Sequence, residues 1–157
     1  MIRDVTAQDA GAIAAIYNHY IEHTTITFEE NCLSASEISA RIRDLCSQDY
    51  PWLVYELDGR VIGYAYATPW RTRSAYRFTV ESAVYVDYRR VREGIGGQLY
   101  DALFRQLAET GFKTVLGLIA LPNEQSVRMH QSFGFLPVGH HHEVGFKFEQ
   151  WIDVGVW

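Results

Sequence analysis

The alternation of apolar and polar positions along the chain predicts a regular succession of helices and strands. Residues 2–5 are expected to form a short strand, and Asp9 is placed to cap a helix whose apolar positions recur at helical spacing, namely Ile13, Ile16, Tyr17, Tyr20 and Ile21. A second helix is expected from Ser34, because Glu37 follows three residues later as in a capping box. Two apolar runs meet at Asp58-Gly59, a dipeptide that favours the tight turn of a hairpin.

The second half of the chain continues this alternation. Residues 78–87 are rich in β-branched and aromatic side chains and predict a strand, and the apolar spacing after residues 94–97 predicts a helix that ends at Gly111. Residues 113–120 are expected to form one buried strand, residues 126–133 a further helix, and the tail two strands around a loop. This order predicts an α/β (α+β) fold, in which helices flank a mixed, mostly antiparallel central sheet.

Composition and charge exclude several classes of protein. The chain of 157 residues shows no repeat or linker, which indicates a single domain over residues 1–157. Its net charge of -5 argues against general nucleic-acid binding, and no apolar run is long enough to span a membrane. Cys32 and Cys46 form no CxxC pair, so we expect ordinary thiols in a reducing compartment and a cytoplasmic protein.

The stretch R-V-R-E-G-I-G-G-Q-L-Y, residues 90–100, is the first candidate for chemistry. Gln98 follows Gly97 where a nucleoside-triphosphate loop requires Lys, and Leu99 replaces the third glycine of a dinucleotide fingerprint, so both of those motifs are excluded. A strand, a glycine turn and a helix N-terminus would still direct free N–H groups and the positive end of the helix dipole at one spot. The residues alone therefore leave two readings open, a phosphate-binding loop and a plain glycine-rich turn.

The segment that contains this stretch, E-S-A-V-Y-V-D-Y-R-R-V-R-E-G-I-G-G-Q-L-Y, resembles the acetyl-CoA motif of the GNAT N-acetyltransferases, written Gln/Arg-x-x-Gly-x-Gly/Ala. Gly94 and Gly96 match the motif, whereas Val91 stands at its Gln/Arg position. Other blocks are similar to the phosphinothricin acetyltransferase subgroup, at residues 17–21, 50–54, 69–86, 121–135 and 145–157. The resemblance spans essentially the whole chain and implies a GNAT fold and acetyl-CoA as co-substrate.

The resemblance also implies which residues hold acetyl-CoA. Its pyrophosphate is expected on the backbone amides of the glycine loop, which comprises Arg92, Glu93, Gly94, Ile95, Gly96 and Gly97. Val91 would then weaken the affinity without abolishing it. The strand residues Val84, Tyr85 and Val86 are expected to pair with the pantetheine arm as an added strand would, with the Val84 N–H polarising the thioester carbonyl. Asn123 and Ser126 are expected as further contacts to the cofactor.

Acetyl transfer to an amine requires a group that removes a proton from the ammonium and a group that protonates the thiolate. Glu81 lies on a strand face suited to burial, which would raise its pKa, and the resemblance assigns it to the proposed base. From the residues alone, an ion pair with Arg71 or Arg73 is the alternative. The resemblance places His130 where the wider family commonly has a tyrosine acid, and a satisfied core or surface histidine is its alternative.

The substrate is expected to be small and amino-acid-like. Arg71 and Arg73 suit a doubly anionic substrate, although a solvated loop would carry the same charges. Phe28 and Tyr76 are expected to wall a small pocket, or equally to belong to the core. The resemblance implies acetylation of the α-amino group of phosphinothricin, methionine sulfoximine or methionine sulfone. Neither cysteine has the surroundings of a nucleophile, so we expect direct transfer without an acyl-enzyme. It also implies a homodimer.

Two other functions and one other site remain open at this level. Acetylation of a different amine or a protein N-terminus would need an open groove, and a non-catalytic acetyl-CoA sensor would lack the chemistry. His140, His141 and His142 are consecutive, and consecutive strand residues point in different directions. We therefore expect an exposed loop or strand edge there and no metal.

Overall fold

A computed structural model describes residues 1–157 and contains eight strands and four α-helices. In chain order these elements are β1 (Ile2–Asp4), α1 (Ala10–His23), α2 (Ala35–Cys46), β2 (Trp52–Leu57), β3 (Arg60–Pro69), β4 (Thr79–Val86), α3 (Ile95–Glu109), β5 (Thr114–Leu116), β6 (Leu118–Leu121), α4 (Glu124–Ser132), β7 (Gly139–Lys147) and β8 (Gln150–Val156). The order confirms the predicted fold class. No helix is long and apolar enough to cross a membrane.

Of the capping signals predicted for the first two helices, the one at α2 is confirmed and the one at α1 is corrected. The Ser34 hydroxyl accepts the N–H of Glu37 at 3.3 Å, and the Ser34 N–H donates to the Glu37 carboxylate at 2.8 Å, which completes the capping box. Asp9 does precede α1, but its carboxylate does not cap that helix. Its two oxygens instead accept hydrogen bonds from the guanidinium of Arg3, on β1, at 2.8 and 2.9 Å. Hydrogen bonds between two charged groups are stronger than a neutral cap, which explains this choice of partner.

The strands form two sheets in place of the single central sheet that the sequence suggested. The first has the order β1-β2-β3-β4-β5 and is antiparallel except for the parallel pair of β4 and β5. The second has the order β6-β8-β7 and is wholly antiparallel. Helices α1 and α2 pack on one face of the first sheet and α3 on the other, and each face has its own apolar core.

The prediction of one strand over residues 113–120 was wrong, because this segment changes partners at Gly117. Before Gly117 it pairs with β4, and after it the chain pairs with β8. The N–H and C=O of Gly117 both bond to the backbone of Trp157, each at 2.9 Å. A Cβ atom at Gly117 would lie 2.5 Å from the imidazole of His130, so only glycine fits this crossing without displacing the ring.

The change of partner leaves part of β4 without a neighbour on one side. The pairing of β4 with β5 ends at Glu81, whereas its pairing with β3 continues to Val86. The two sheets diverge at this point and open a cleft between β4 and β6. The fold therefore directs one unpaired strand edge, the N-terminus of α3 and the N-terminus of α4 toward the same space.

Candidate active site

The cleft between the two sheets has a volume of about 730 Å³. Its walls contain most of the residues that the sequence analysis selected: Phe28, Glu81, Val84, Tyr85, Val86, Arg92, Gly94, Ile95, Gly96, Gly97, Asn123, Ser126 and His130. Arg71, Arg73, Tyr76 and Glu93 lie outside them. One cavity thus brings together the glycine loop, the strand edge and the two candidates for proton transfer.

The glycine loop presents free donors to the cleft. Gly94 is the N-cap of α3 with φ of 78°, a left-handed conformation that glycine adopts without strain, and it offers no side chain to cap the helix. The first helical bond runs from the N–H of Gln98 to the carbonyl of Gly94, at 3.1 Å. The N–H groups of Ile95, Gly96 and Gly97 are consequently without partners and suit a bound phosphate.

Two further features fit an anion at this loop. A Cβ atom at Gly96 would already touch the sulfur of Met129 at 3.5 Å, so a larger side chain would fill the space between α3 and α4. The Nε of Arg90 is buried at the cleft wall without a hydrogen-bond partner, although the same guanidinium pairs with Glu93 at 3.0 Å. Arg90 belongs to the glycine-rich stretch of residues 90–100, but its place in the sequence indicates no role for it. Val91 is exposed beside it and lines the rim.

The free edge of β4 offers backbone groups along the cleft. The hydroxyl of Tyr20 donates to the carbonyl of Val86 at 2.6 Å, and the hydroxyl of Tyr100 approaches the carbonyl of Ser82 at 3.5 Å. Backbone groups of a strand alternate between its two neighbours, so Val84, midway between these residues, also directs its N–H and C=O toward the cleft. Val84 is therefore the residue of β4 whose backbone is best placed to pair with a bound chain.

Asn123 and Ser126 are placed by the start of α4. Asn123 is the N-cap, and its side-chain oxygen accepts the N–H of Ser126 at 3.1 Å. The helix thus begins at Glu124, two residues before the start that the sequence suggested, because Asn123 caps it. Both side chains line the cleft.

Glu81 is a half-buried carboxylate without a partner. It forms no ion pair with Arg71 or Arg73, and burial alone raises its pKa above the usual range. Its charge reaches neighbouring phenols, since it adds to the effect of burial in raising the pKa of Tyr66 and of Tyr100. A carboxylate that water stabilises poorly and that no cation neutralises is suited to accept a proton.

His130 is 4% exposed, and both of its ring nitrogens are engaged. Its Nδ1 lies 2.8 Å from the carbonyl oxygen of Ser126, which only accepts, so Nδ1 carries the proton. Burial lowers the pKa of His130, so the ring is neutral near pH 7 and Nε2 accepts. The hydroxyl of Tyr100 lies 3.3 Å from this Nε2 and donates to it.

Tyr100 therefore lines the cleft beside His130, a position that the sequence did not predict. The residue is buried, yet its hydroxyl borders the cavity and approaches both Ser82 and His130. The available signal was a single hydroxyl on the otherwise apolar face formed by Leu99, Leu103 and Leu107. A buried phenol at such a position usually has a hydrogen-bond partner.

The far end of the cleft, beyond Glu81, is aromatic. Tyr17, Tyr66 and Phe28 line it, and the hydroxyl of Tyr17 bonds to that of Thr27 at 2.7 Å. The buried ammonium of Lys147 donates to the carbonyl of Thr27 at 2.8 Å. This contact fixes the segment that carries Phe28 against β7.

Gly145 controls the position of Phe28, since a Cβ atom there would overlap the Phe28 ring. We expect Gly145→Ala to displace this wall and to raise the KM of the acceptor amine roughly fivefold, the effect of about 1 kcal/mol, with the KM of acetyl-CoA unchanged. Steady-state kinetics with each substrate varied in turn measures both constants. Gly139→Ala is the matched control on the same strand, because its Cβ would meet Val156 at an ordinary 3.7 Å. Equal effects of the two variants would contradict a specific role for the Phe28 wall.

The structure does not bring Arg71, Arg73 and Tyr76 to the cleft of a single chain. All three are exposed in the loop between β3 and β4, where the guanidinium of Arg71 lies 5.2 Å from the ring centroid of Trp70. The segment is thus neither core nor pocket wall within one chain. Substrate binding by these residues stays a prediction.

The cysteines and the three histidines lie away from the cleft. Cys32 and Cys46 are free and exposed, and neither lines the cavity. His140, His141 and His142 are exposed on β7, the edge strand of the second sheet.

Comparison with known proteins identifies this arrangement. A family model described as an acetyltransferase (GNAT) domain matches residues 2–156, so the chain belongs to the GNAT acetyltransferase family. Phosphinothricin N-acetyltransferase of Streptomyces viridochromogenes is 44% identical over 156 residues, which cover 99% of this chain and 85% of that protein. The L-methionine sulfoximine/L-methionine sulfone acetyltransferase of Salmonella typhimurium is 33% identical over 153 residues, 98% of this chain and 90% of that protein. The chain is an N-acetyltransferase of this subgroup.

A solved structure supports the same assignment. The phosphinothricin acetyltransferase of Sinorhizobium meliloti in complex with acetyl-CoA matches with a TM-score of 0.96 and 32% identity, over 99% of this chain and 85% of that one. This similarity confirms the GNAT fold that the resemblance implied. Acetyl-CoA is bound in that relative.

Proposed function

We propose that this protein transfers the acetyl group of acetyl-CoA directly to the α-amino group of a small amino acid or amino-acid analogue. The observation that carries the proposal is Glu81, a half-buried carboxylate without a partner between the free edge of β4 and the aromatic end of the cleft. Its position suits a base that meets an amine entering from one side and a thioester from the other.

The residues of the cleft fit acetyl-CoA as co-substrate. The free N–H groups of residues 95–97 and the unpaired Nε of Arg90 would hold its pyrophosphate, and the backbone of Val84 would pair with its pantetheine arm. When bound, acetyl-CoA would supply the thioester carbonyl carbon that accepts the amine nitrogen. Nearly all of this recognition uses backbone donors, so the absence of a polar side chain at Val91 is tolerated.

We assign the two proton transfers of the reaction to Glu81 and Tyr100. Glu81 takes a proton from the substrate ammonium, and the Val84 N–H stabilises negative charge on the carbonyl oxygen. His130 lines the cleft, but its one proton is donated to the Ser126 carbonyl, so we propose that it supports the acid and is not the acid itself. We assign proton return to the hydroxyl of Tyr100, which gives its proton to the thiolate in place of its bond to Nε2 of His130. The phenolate then regains the proton that Glu81 took from the amine, through solvent in the cleft. Neither cysteine lines the cleft, which supports direct transfer without an acyl-enzyme.

This assignment makes Tyr100→Phe a specific test. The variant keeps the ring packing and loses the proposed proton donor, so we expect kcat to fall about 10- to 100-fold, at or below the low end for a general acid because solvent in the cleft can also supply the proton, with the KM of acetyl-CoA unchanged. His130→Gln should lower kcat through the same hydroxyl. The double variant should then be little worse than either single variant, as measured by coenzyme A release. Additive losses would contradict the coupling of His130 and Tyr100.

The substrate class is inferred from the relatives. Their names include phosphinothricin and methionine sulfoximine or sulfone, all amino acids or their analogues. The test is to measure coenzyme A release across a panel of amino acids and their sulfone, sulfoximine and phosphinate analogues, with a peptide amine as comparison. Release with only the peptide would contradict the proposed substrate, and no release with any amine would favour a non-catalytic acetyl-CoA sensor.

We also propose that one catalytic domain spans residues 1–157 and that two copies form a homodimer. Support comes from exposed apolar side chains on β7 and β8, where Phe146 and Trp151 are 54% and 64% exposed and their ring centroids lie 4.8 Å apart. A partner that covers these rings would remove apolar surface from water. Arg71 and Arg73, which do not reach the cleft of their own chain, would then be free to serve the cleft of the partner.

A further inference from the structure

A cluster of two imidazoles and one carboxylate lies at the edge of the second sheet, outside the cleft. His140 and His142 are two residues apart on β7, and their rings stack with centroids 4.3 Å apart. Both contact the same oxygen of Asp153 on β8, His140 through Nε2 at 2.7 Å and His142 through Nδ1 at 3.2 Å. His141 takes no part in these contacts. The alternation that separates neighbouring histidines thus brings the first and the third together.

The backbone of β7 is shaped around this carboxylate. His141 pairs with Val154 and Gly145 with Ile152, so three residues of β7 lie opposite Asp153 alone. Glu143 in this bulge has φ of 48°, and its N–H donates to Oδ1 of Asp153 at 2.8 Å. This bond orients the carboxylate and leaves Oδ2 facing the two imidazoles.

We propose that His140, His142 and Asp153 form a surface site for a divalent transition-metal ion such as Zn²⁺. Two imidazole nitrogens and one carboxylate oxygen are donors that Zn²⁺, Cu²⁺ and Ni²⁺ accept readily, whereas Mg²⁺ and Ca²⁺ prefer oxygen alone. Solvent would complete the coordination, because the histidine side chains are 46% and 79% exposed.

The distances suit one ion. Bonds of about 2.0–2.1 Å in a tetrahedral zinc site place ligand atoms roughly 3.3 Å apart. The two contacts to Asp153, at 2.7 and 3.2 Å, are close to this value, and all three ligand atoms lie within 4.8 Å of one another. Rotation of the exposed imidazoles closes the remaining separation. The Glu143 N–H acts as the outer hydrogen bond that orients a metal-bound carboxylate.

Such an ion would tie the bulge of β7 to β8. It would join His140 and His142 on β7 to Asp153 on β8. Because the ion would bind the folded chain and not the unfolded one, it would stabilise the fold. The site is independent of the proposed acetyl transfer, since none of its ligands lines the cleft.

Calorimetric titration of Zn²⁺ into the full chain, without a polyhistidine tag, tests the proposal. We expect one equivalent per chain, at least tenfold weaker binding by His140→Asn or His142→Asn, and no change in His141→Asn, the matched control between them. Zn²⁺, but not Mg²⁺, should raise the Tm of the wild type and of His141→Asn and leave that of His142→Asn unchanged. Activity of all three variants without added metal should equal that of the wild type, which shows that they are folded.

A second histidine pair makes the test sharper. His19 and His23 lie one turn apart on α1 with ring centroids 4.7 Å apart, and they offer an ion two ligands. We expect His23→Asn to bind Zn²⁺ as the wild type does. The proposal is overturned if His23→Asn abolishes binding, if His141→Asn weakens it as much as His142→Asn, or if the wild type binds no Zn²⁺.

Discussion

Substitution of Glu81 by Gln is expected to lower kcat by about 10²- to 10⁴-fold, the usual contribution of a positioned general base. Gln has nearly the same shape but accepts no proton from the amine. The affinity for acetyl-CoA should not change, because the glycine loop and the edge of β4 that would hold it are untouched. Kinetics of coenzyme A release and calorimetric titration with acetyl-CoA measure the two quantities separately.

The pH dependence adds a second readout. Burial raises the pKa of Glu81, and the base acts only when ionised, so kcat/KM of the wild type should fall as the pH decreases through this raised pKa. The acid limb should therefore lie above the range of an ordinary glutamate and should vanish in Glu81→Gln. Glu109→Gln, which removes an exposed charge at the end of α3, should retain full activity and the acid limb. A Glu81→Gln enzyme with near wild-type kcat would show that the base is elsewhere.

Substitution of Gly96 by Leu is expected to weaken acetyl-CoA binding roughly 100-fold. A Cβ atom at this position already touches Met129 and approaches Val84 and Val86, at 3.5, 3.9 and 3.8 Å, so the remaining atoms of leucine extend into the space for the cofactor. Overpacking of a filled site costs up to about 3 kcal/mol, or about two orders of magnitude in affinity. Calorimetric titration with acetyl-CoA measures the loss directly.

The chain provides a matched control for this variant. Gly11 is the second residue of α1, as Gly96 is of α3, and a Cβ atom there would meet nothing within 4 Å. Gly11→Leu makes the same exchange at the same helical position and should leave both Tm and acetyl-CoA affinity near the wild-type values. If Gly96→Leu bound acetyl-CoA normally, the pyrophosphate would not lie on this loop.

Much of the fold follows from local signals in the sequence. The capping box at Ser34 and the Asp58-Gly59 turn each fix one element through neighbouring residues alone. The division of residues 113–120 into two strands does not follow, because it depends on Trp157 and on the ring of His130, both distant in sequence. Periodicity reports which face of a segment is apolar and contains no information about which strand it pairs with.

The candidate site divides in the same way. Glu81 and the glycine loop stand out because an acidic residue in a buried strand and a glycine cluster before a helix are unusual in themselves. Tyr100 does not, since one tyrosine on an apolar helix face is ordinary until His130 and Ser82 are seen beside it. Arg71 and Arg73 show the converse, because residues that suit an anionic substrate in sequence lie outside the cleft of their own chain.

The unpaired edge of β4 has a consequence for how such an enzyme changes over time. In the proposed reaction, main-chain groups of Val84 and of the glycine loop would hold acetyl-CoA, and most side-chain exchanges on β4 leave those groups in place. The acceptor end is built instead from side chains such as Phe28, Tyr17 and Tyr66, where each exchange alters shape or polarity. Substitutions that accumulate in the sequence are therefore expected to preserve the acyl donor and to change the amine that is accepted. A scaffold of this kind can change the amine that it accepts while it keeps the main-chain groups proposed to hold acetyl-CoA.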